Sequence, residues 1–223
     1  MHGVLGTILP LAIAVTISPI PIIAEILLLF TKRPVPNAGA YLVGFIIGVG
    51  AMLGILVAVA GAFNLSAGSG PSKGAATAEL VLGLLLLLAS VRRFRGRPKP
   101  GEAAPMPKWM DGIAGFGPLK SLSVGAALGA VNPKNLVVGL AAAITIASAD
   151  LSTGHVIVAV VVYVIVAALG VAAPLVVMIA LRDKAQAILD SWRLWLGQNN
   201  ATVMAVLFFV FAVILIGKGV AGR

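Results

Sequence analysis

The chain reads as an all-α polytopic membrane protein: six transmembrane helices, arranged as two inverted three-helix repeats, with helices 1 and 4 broken. Three observations predict this class. Of 223 residues, 60% are hydrophobic and only 10% charged, whereas a soluble domain carries roughly 25% charged residues; the mean hydropathy is +1.10. The apolar residues gather into six stretches near the length of a membrane span. Prolines interrupt the first and the fourth of these, at Ser18-Pro19-Ile20-Pro21 and at Asn132-Pro133.

A spanning helix needs about 20 mostly apolar residues. The six stretches are roughly Val4–Phe30, Ala38–Phe63, Ala75–Val91, Pro118–Ser148, His155–Leu181 and Ala201–Gly217. The first lacks a preceding basic region and a cleavage site, so it reads as a retained helix and not as a signal peptide. The third is short. The fourth is too long for one straight helix, and a break at Asn132-Pro133 divides it into two half-helices. Between the fifth and sixth, Ile188, Leu189, Trp192 and Leu196 recur at helical spacing with Asp190 and Arg193 among them, predicting a short helix lying on the inner leaflet over Ala185–Leu196.

Charge sets the expected orientation. Lys32, Arg33, Arg92, Arg93, Arg95, Arg97, Lys99, Lys108, Lys120, Arg182, Lys184 and Arg193 fall in one set of loops and hold 12 of the 16 basic residues. Lys73, Lys218 and Arg223 fall on the other side, and Lys134 lies within a span. Positive loops stay cytoplasmic, so both termini are expected outside. Trp109, Trp192 and Trp195 fall on the cytoplasmic side, as interface anchors. The net charge of +9 is thus a topology signal beside spans; nucleic-acid binding is not expected.

The Pro-, Gly- and Arg-rich stretch 92–117 is a flexible linker between a first three-helix repeat, 1–91, and a second, 118–223. An odd number of spans per half inverts the second half relative to the first, and such repeats place a substrate site at their interface near the midplane.

The chemistry concentrates at the two breaks. Pro19 and Pro21 remove helix donors and free carbonyls around Ala14 to Ile17; the plain alternative is a simple kink. Glu25, one turn on, is a carboxylate inside an apolar run and needs a partner, a proton or water. It also lies only about 9 Å from the Thr31-Lys32-Arg33 end of the span, so pairing with Lys32 or Arg33 is the competing reading. Lys134 sits beside Pro133 near mid-span, where an ammonium costs on the order of 2.5–3.5 kcal/mol on insertion scales. Its competing reading is a structural ion pair or a side chain reaching an interface. Asn132 and Asn135 add amides to the same break. Helix ends expose groups that hold charge, so Lys134 suits an anionic headgroup, a carboxylate or Glu25. Gly44-x-x-x-Gly48, Gly50-x-x-x-Gly54 and Gly125-x-x-x-Gly129 are read as close helix packing.

Other chemistries lack their residues. Cysteine is absent, which excludes disulfides and thiol exchange. Within the spans no Ser/His/Asp grouping occurs, no carboxylates or imidazoles gather at depth for a metal, and no P-loop is present. No cofactor and no enzymatic activity are expected.

Ile17-Ser18-Pro19-Ile20-Pro21 through Glu25, then Thr31-Lys32-Arg33-Pro34, then Asn132-Pro133-Lys134-Asn135, together with six spans and a basic linker, resemble the GAP or sulfolipid-1-addressing protein family of the LysE transporter superfamily. The resemblance covers nearly the whole chain. It implies a LysE-like fold and a bacterial inner-membrane protein taking part in export of cell-envelope glycolipids or their precursors. Superfamily relatives export amino acids, cations and other small solutes by exchange or proton coupling. This chain has Pro-Ile-Pro where many amino-acid exporters of the superfamily have Pro-Gly-Pro, which weakens the amino-acid reading.

The site expected from these readings comprises Ser18, Pro19, Pro21, Glu25, Asn132, Pro133, Lys134 and Asn135. Lys134 would hold an anionic headgroup or pair with Glu25, Glu25 would accept a proton or gate, and the asparagines would orient polar substrate groups. The expected partners are membrane lipids, an anionic or glycosylated lipid substrate and a larger lipid exporter, with a homo-oligomer also compatible. Two alternatives stay open: an exporter of a small polar solute such as an amino acid, and a non-transporting accessory subunit of a larger lipid exporter.

Overall fold

The computed structural model describes residues 1–62, 73–98 and 107–221. Among them every regular element is helical. The α-helices are α1 (His2–Thr16), α2 (Pro19–Leu29), α3 (Pro34–Ala62), α4 (Lys73–Arg95), α5 (Pro118–Ala130), α6 (Pro133–Ala147), α7 (Thr153–Leu181) and α8 (Ala185–Ala221), with short 3-10 helices at Lys108–Gly115 and Arg182–Lys184. The side chains of Lys73, Lys99, Lys218 and Arg223, assigned above to loops or span ends, lie outside the described residues.

Proline punctuates this fold. Helices α2, α3, α5 and α6 each begin on one, where the missing N–H has no intrahelical partner to lose and the fixed φ suits the first turn. Single prolines deeper inside, Pro10 in α1 and Pro174 in α7, leave their helices continuous. The doublet Pro19/Pro21 and the pair Asn132-Pro133 do not. The α1/α2 pair bends by 51° and the α5/α6 pair by 57°, so both breaks read from the sequence are present.

By length and composition, Pro34–Ala62 and the run Thr153–Ala221 can cross a membrane, and each bent pair counted as one span raises the number from two to four. The outer surface agrees with a bilayer environment. Large apolar side chains such as Ile13, Ile47, Ile55, Leu88, Ile157, Ile165 and Val176 are exposed, as side chains facing lipid would be. The third predicted stretch, Ala75–Val91, falls within α4.

Two expectations change. The separate inner-leaflet helix over Ala185–Leu196 does not end; it runs on as the start of the 37-residue α8. Gly197 alone does not stop it, because the polar Gln198, Asn199 and Asn200 that follow are not breakers, and Asn199 Nδ2 donates back to the Trp195 carbonyl at 2.9 Å. The 92–117 linker is folded at both flanks. At one, α4 continues to Arg95. At the other, Met110 and Ile113, three residues apart, bury themselves from the 3-10 helix Lys108–Gly115, and Asn37 Nδ2 donates to the Phe116 carbonyl at 2.9 Å. Residues 99–106, the middle of that linker, lie outside the described residues.

The chain forms two compact units, one from Met1–Ser66 with Met106–Arg193 and one from Ala67–Pro105 with Leu194–Arg223. In the first, α3 packs along α5 and α6, while α7 packs on α1 and α2. Glycine makes the α3–α5 seam. A Cβ at Gly44 or Gly48 would overlap the carbonyls of Leu122 or Ala126, and one at Gly125 or Gly129 would run into those of Tyr41 or Phe45. Each helix therefore presses its glycines onto the other's backbone, the geometry that small-residue repeats permit. The Gly50/Gly54 pair behaves differently: among the described residues a Cβ at Gly50 would meet only the Val164 side chain, at 3.8 Å, and one at Gly54 would meet nothing within 4 Å. That repeat is not a packing seam. In the second unit, Gly83 of α4 lies against Ala212 and Ile216 of α8, and Ser90 Oγ donates to the Ala205 carbonyl at 2.8 Å.

Gly125→Val is expected to destabilise the protein by about 3 kcal/mol, because the obstacle is backbone and cannot rotate away. Gly54→Ala should be neutral or stabilising by up to about 1 kcal/mol. Thermal unfolding of the detergent-solubilised variants measures both; equal effects would remove the α3–α5 seam as a determinant of the fold.

Candidate functional site

The first broken helix leaves a set of carbonyls whose normal donors are missing, and each can be accounted for. Pro19 has no N–H for the Val15 carbonyl, and Ser18 Oγ donates to it at 2.5 Å. Pro21 has none for the Ile17 carbonyl. Ser18 N–H, which would serve Ala14 in a continuing helix, turns to the Thr16 carbonyl at 3.0 Å, with Ile17 between them at φ −83°, ψ 70°, an inverse γ-turn. The carbonyls of Ala14 and Ile17 are thus left open at the C-terminal, electronegative end of α1.

Lys134 fills them. Its Nζ donates to the Ala14 carbonyl at 2.7 Å, the Ile17 carbonyl at 2.9 Å and Ser18 Oγ at 2.5 Å. An ammonium has three N–H donors, and all three find neutral oxygens. The lysine sits in the first turn of α6, where the helix dipole disfavours a cation, and reaches across to the end of another helix where the dipole favours one. A hydrogen bond to a charged group contributes roughly 1.5–3 kcal/mol, which offsets the cost of burying the side chain. Ser18 and Lys134 are both buried.

The second break is closed by its own amides. Pro133 cannot donate to the Gly129 carbonyl, so Asn135 Nδ2 does so at 3.2 Å and also approaches the Leu128 carbonyl at 3.4 Å. Asn132 caps α6, its Oδ1 accepting from Lys134 N–H at 3.1 Å. Asn135 is fully buried, and its Oδ1 has no hydrogen-bond partner. Pro19 and Pro21 are buried, whereas Pro133 faces outward. The fold brings Lys134 and Ser18 together and leaves Pro133 away from that contact.

Glu25 stands apart from the lysine. It is fully buried on α2, and neither carboxylate oxygen has a hydrogen-bond partner. Among the described residues the ion pair is Arg193–Asp190 at 2.8 Å; neither the Glu25–Lys134 pair nor a pair with Lys32 or Arg33 is made. Among the described residues the cation of Lys134 is therefore solvated by dipoles alone, with no anion paired to it.

Four polar residues belong to this region that the motif reading passed over. Tyr41 donates to the Pro21 carbonyl at 3.1 Å and lies within electrostatic range of Glu25. Thr16 Oγ1 reaches the Val166 carbonyl on α7 at 2.5 Å, beside Gly170, whose missing Cβ lets that helix touch the Thr16 carbonyl. Tyr163, also on α7, is buried with an unpartnered hydroxyl. Asn37 ties α3 to Thr31 Oγ1 at 2.9 Å. One signal was available: the chain has only two tyrosines, both within apolar stretches.

A cavity of about 340 Å³ opens at the end of α2 between Leu29, Thr31, Met178, Arg182 and Gln186. The Lys134 crossing does not line it.

Ser18→Ala removes a buried group that accepts from Lys134 and donates to Val15. A loss of about 2 kcal/mol in stability is expected, against less than about 0.5 kcal/mol for Thr7→Ala, whose hydroxyl is exposed. Chemical or thermal unfolding in detergent compares the two; an unaffected Ser18→Ala would mean that the crossing adds nothing to stability.

Comparison with known proteins places the chain on a family level. A search of curated proteins and a search of solved structures each gave no match. A family model does match, over residues 8–221, and takes in both breaks, α3, α7 and α8. The chain belongs to the family described as Sap, sulfolipid-1-addressing protein.

Proposed function

We propose that this protein is a multi-pass inner-membrane transporter taking part in export of cell-envelope lipids, glycolipids or their precursors, with an anionic headgroup drawn to Lys134. The observation that carries the reading is the uncompensated ammonium: a buried cation held by three neutral oxygens at the meeting of two broken helices. A sulfolipid bears an anionic sulfur oxyacid group, and the family description ties the chain to lipid addressing. An anion competing for the ammonium would replace dipoles by a charge-assisted contact, the stronger kind. Lys134 would then leave the Ala14 and Ile17 carbonyls and release α6 from the end of α1. Glu25, with no hydrogen-bond partner among the described residues, is the group that would carry a proton or act as a gate. No enzymatic step is part of this reading.

The six-span, LysE-like plan of inverted halves, with repeats 1–91 and 118–223, draws support from paired features. Each half opens with a broken pair, α1/α2 or α5/α6, followed by a helix of 29 residues, α3 or α7. Each of these long helices packs on the broken pair of the other half. Inverted repeats of this kind put their site where discontinuous helices meet. The distribution of basic loops orients both termini outside.

A second reading has its own support. Lys134 is fully satisfied within the protein, as a structural clamp would be, so an accessory subunit of a larger lipid exporter is the alternative. Small polar solutes remain a test case for transport assays in vesicles.

Lys134→Met keeps much of the volume and removes the charge. Normal membrane insertion is expected, with outward lipid movement reduced at least about tenfold, the consequence of losing roughly 1.4 kcal/mol of substrate interaction. Unpairing two buried carbonyls costs about 1–3 kcal/mol each, so size-exclusion profiles are to be recorded alongside. Full activity in Lys134→Met would sink the headgroup role. Export restored by adding Glu25→Gln to it would make the two residues a structural pair, and unaltered export in both would leave the clamp.

Orientation is testable because the chain has no cysteine background. Ser152→Cys should react with a membrane-impermeant thiol reagent added outside cells, and Arg97→Cys should react only after permeabilisation. The reverse pattern would overturn the assigned topology.

A further inference from the structure

The unit that does not contain Lys134 has a cavity of its own, of about 460 Å³, between the basic end of α4 and the middle of α8. Its origin lies in the packing of these two antiparallel helices. They are close where Gly83 meets Ala212 and Ile216 and are tied where Ser90 bonds the Ala205 carbonyl. At and beyond that tie the small residues lining the cavity are Ala89 of α4 and Gly96 just past its end, with Gly197 and Ala201 of α8. Side chains this small leave a gap that helix packing does not fill.

The gap is polar at one end and apolar at the other. Arg92, Arg93 and Asn200 line it together with Phe208, which lies seven residues beyond Ala201 on α8, about 10 Å deeper along the helix axis. Arg92 and Arg93 make no ion pair among the described residues. Asn200 Oδ1 is buried and accepts no hydrogen bond. Topology and the helix dipole explain basic residues here in general, since Arg95 is in the same last turn, and Arg97 stacks on Phe94 at 3.8 Å. They do not explain why, of this cluster, Arg92 and Arg93 line a cavity together with Asn200 and Phe208.

We propose that this cavity is a binding site for an anionic phospholipid whose phosphodiester headgroup carries a hydroxyl. The guanidiniums of Arg92 and Arg93 take the phosphate, for which their forked donors are suited. Asn200 Oδ1 accepts from the headgroup hydroxyl. The upper acyl chain lies over Ala201 and Phe208 and leaves along the exposed apolar residues Leu84, Leu85 and Leu88 of α4. A free phosphate ion would occupy a small part of such a volume and would gain nothing from the apolar end. Basic pockets between membrane helices are a known form of lipid headgroup site. This site is separate from the proposed transport site and is tested by binding, so its outcome does not depend on that reading.

Native mass spectrometry of the full chain in detergent, titrated with phosphatidylglycerol or with phosphatidylcholine, gives the readout. Phosphatidylglycerol is expected to bind preferentially, and Arg92→Gln with Arg93→Gln to weaken it roughly 30-fold. The control double variant Arg95→Gln with Arg97→Gln carries the same charge change and should stay within about twofold. Ala201→Leu fills the apolar end with all charges intact and should also weaken binding, which covers the case of a misfolded arginine variant. Equal losses in the two double variants would reduce the effect to diffuse charge and overturn the site. Displacement of the lipid by glycerol 3-phosphate at equal concentration would show a free-phosphate site instead. Equal binding of the two lipids would overturn the headgroup assignment.

Discussion

The crossing of Lys134 onto the end of α1 is the contact on which the rest of the first unit depends. Membrane-spanning backbone must satisfy its polar groups internally, and a chain that places Pro19 and Pro21 two residues apart creates more open carbonyls than its own turn can close. Ser18 takes one and an inverse γ-turn redirects another. The remaining two require a donor from elsewhere in the chain, and the lysine at the start of α6 supplies it. Each partner solves the other's problem: the carbonyls need donors, and the buried ammonium needs acceptors. The break and the lysine are one feature, 116 residues apart in sequence between Ser18 and Lys134.

That contact can form only if α1 and α6 are held together, and the glycine seam does much of this. Close approach of α3 and α5 at Gly44, Gly48, Gly125 and Gly129 places the second broken pair directly against the first long helix. From there α3 also packs on α6, and α7 closes over α1 and α2, with Gly170 admitting the Thr16 carbonyl. Small residues and broken helices are complementary devices. The first allows backbones to touch, and the second turns the freed backbone groups into a polar site within an apolar surround. A cation held by dipoles alone, in such a place, is stabilised without being neutralised. This is a suitable condition for a group that has to exchange one partner for another.

Much of this was legible from residue type and spacing. The doublet Ser18-Pro19-Ile20-Pro21 announces carbonyls around Ala14 to Ile17, because proline's lack of an N–H is a local covalent fact. Asn132 before Pro133 announces a helix start for the same reason. The Gly-x-x-x-Gly repeats were harder. All three look alike in sequence, yet among the described residues no neighbouring backbone closes on Gly50 or Gly54, since spacing shows that an approach is possible and only a partner helix makes it happen. Thr16 and Asn37 carry no motif, and for Tyr41 the one signal is the rarity of tyrosine in the chain. Their importance arises from which carbonyl lies opposite. The end of the 92–117 stretch is folded although its proline and glycine content predicts a flexible linker, because the burial of the Met110/Ile113 pair is a tertiary event.

By itself, the sequence determined the helical class, the two breaks, their freed carbonyls and the presence of a lysine in an apolar span. These follow from composition, from proline's missing donor and from the length of apolar runs, all of which act within a few residues. Tertiary structure alone decided who answers whom. Lys134 could have met Glu25, a headgroup region or the α1 carbonyls, and the three-donor fit at Ala14, Ile17 and Ser18 was selected. Glu25 was left buried without a hydrogen-bond partner. Such choices depend on distances between helices more than 100 residues apart in the chain, and no local pattern encodes them.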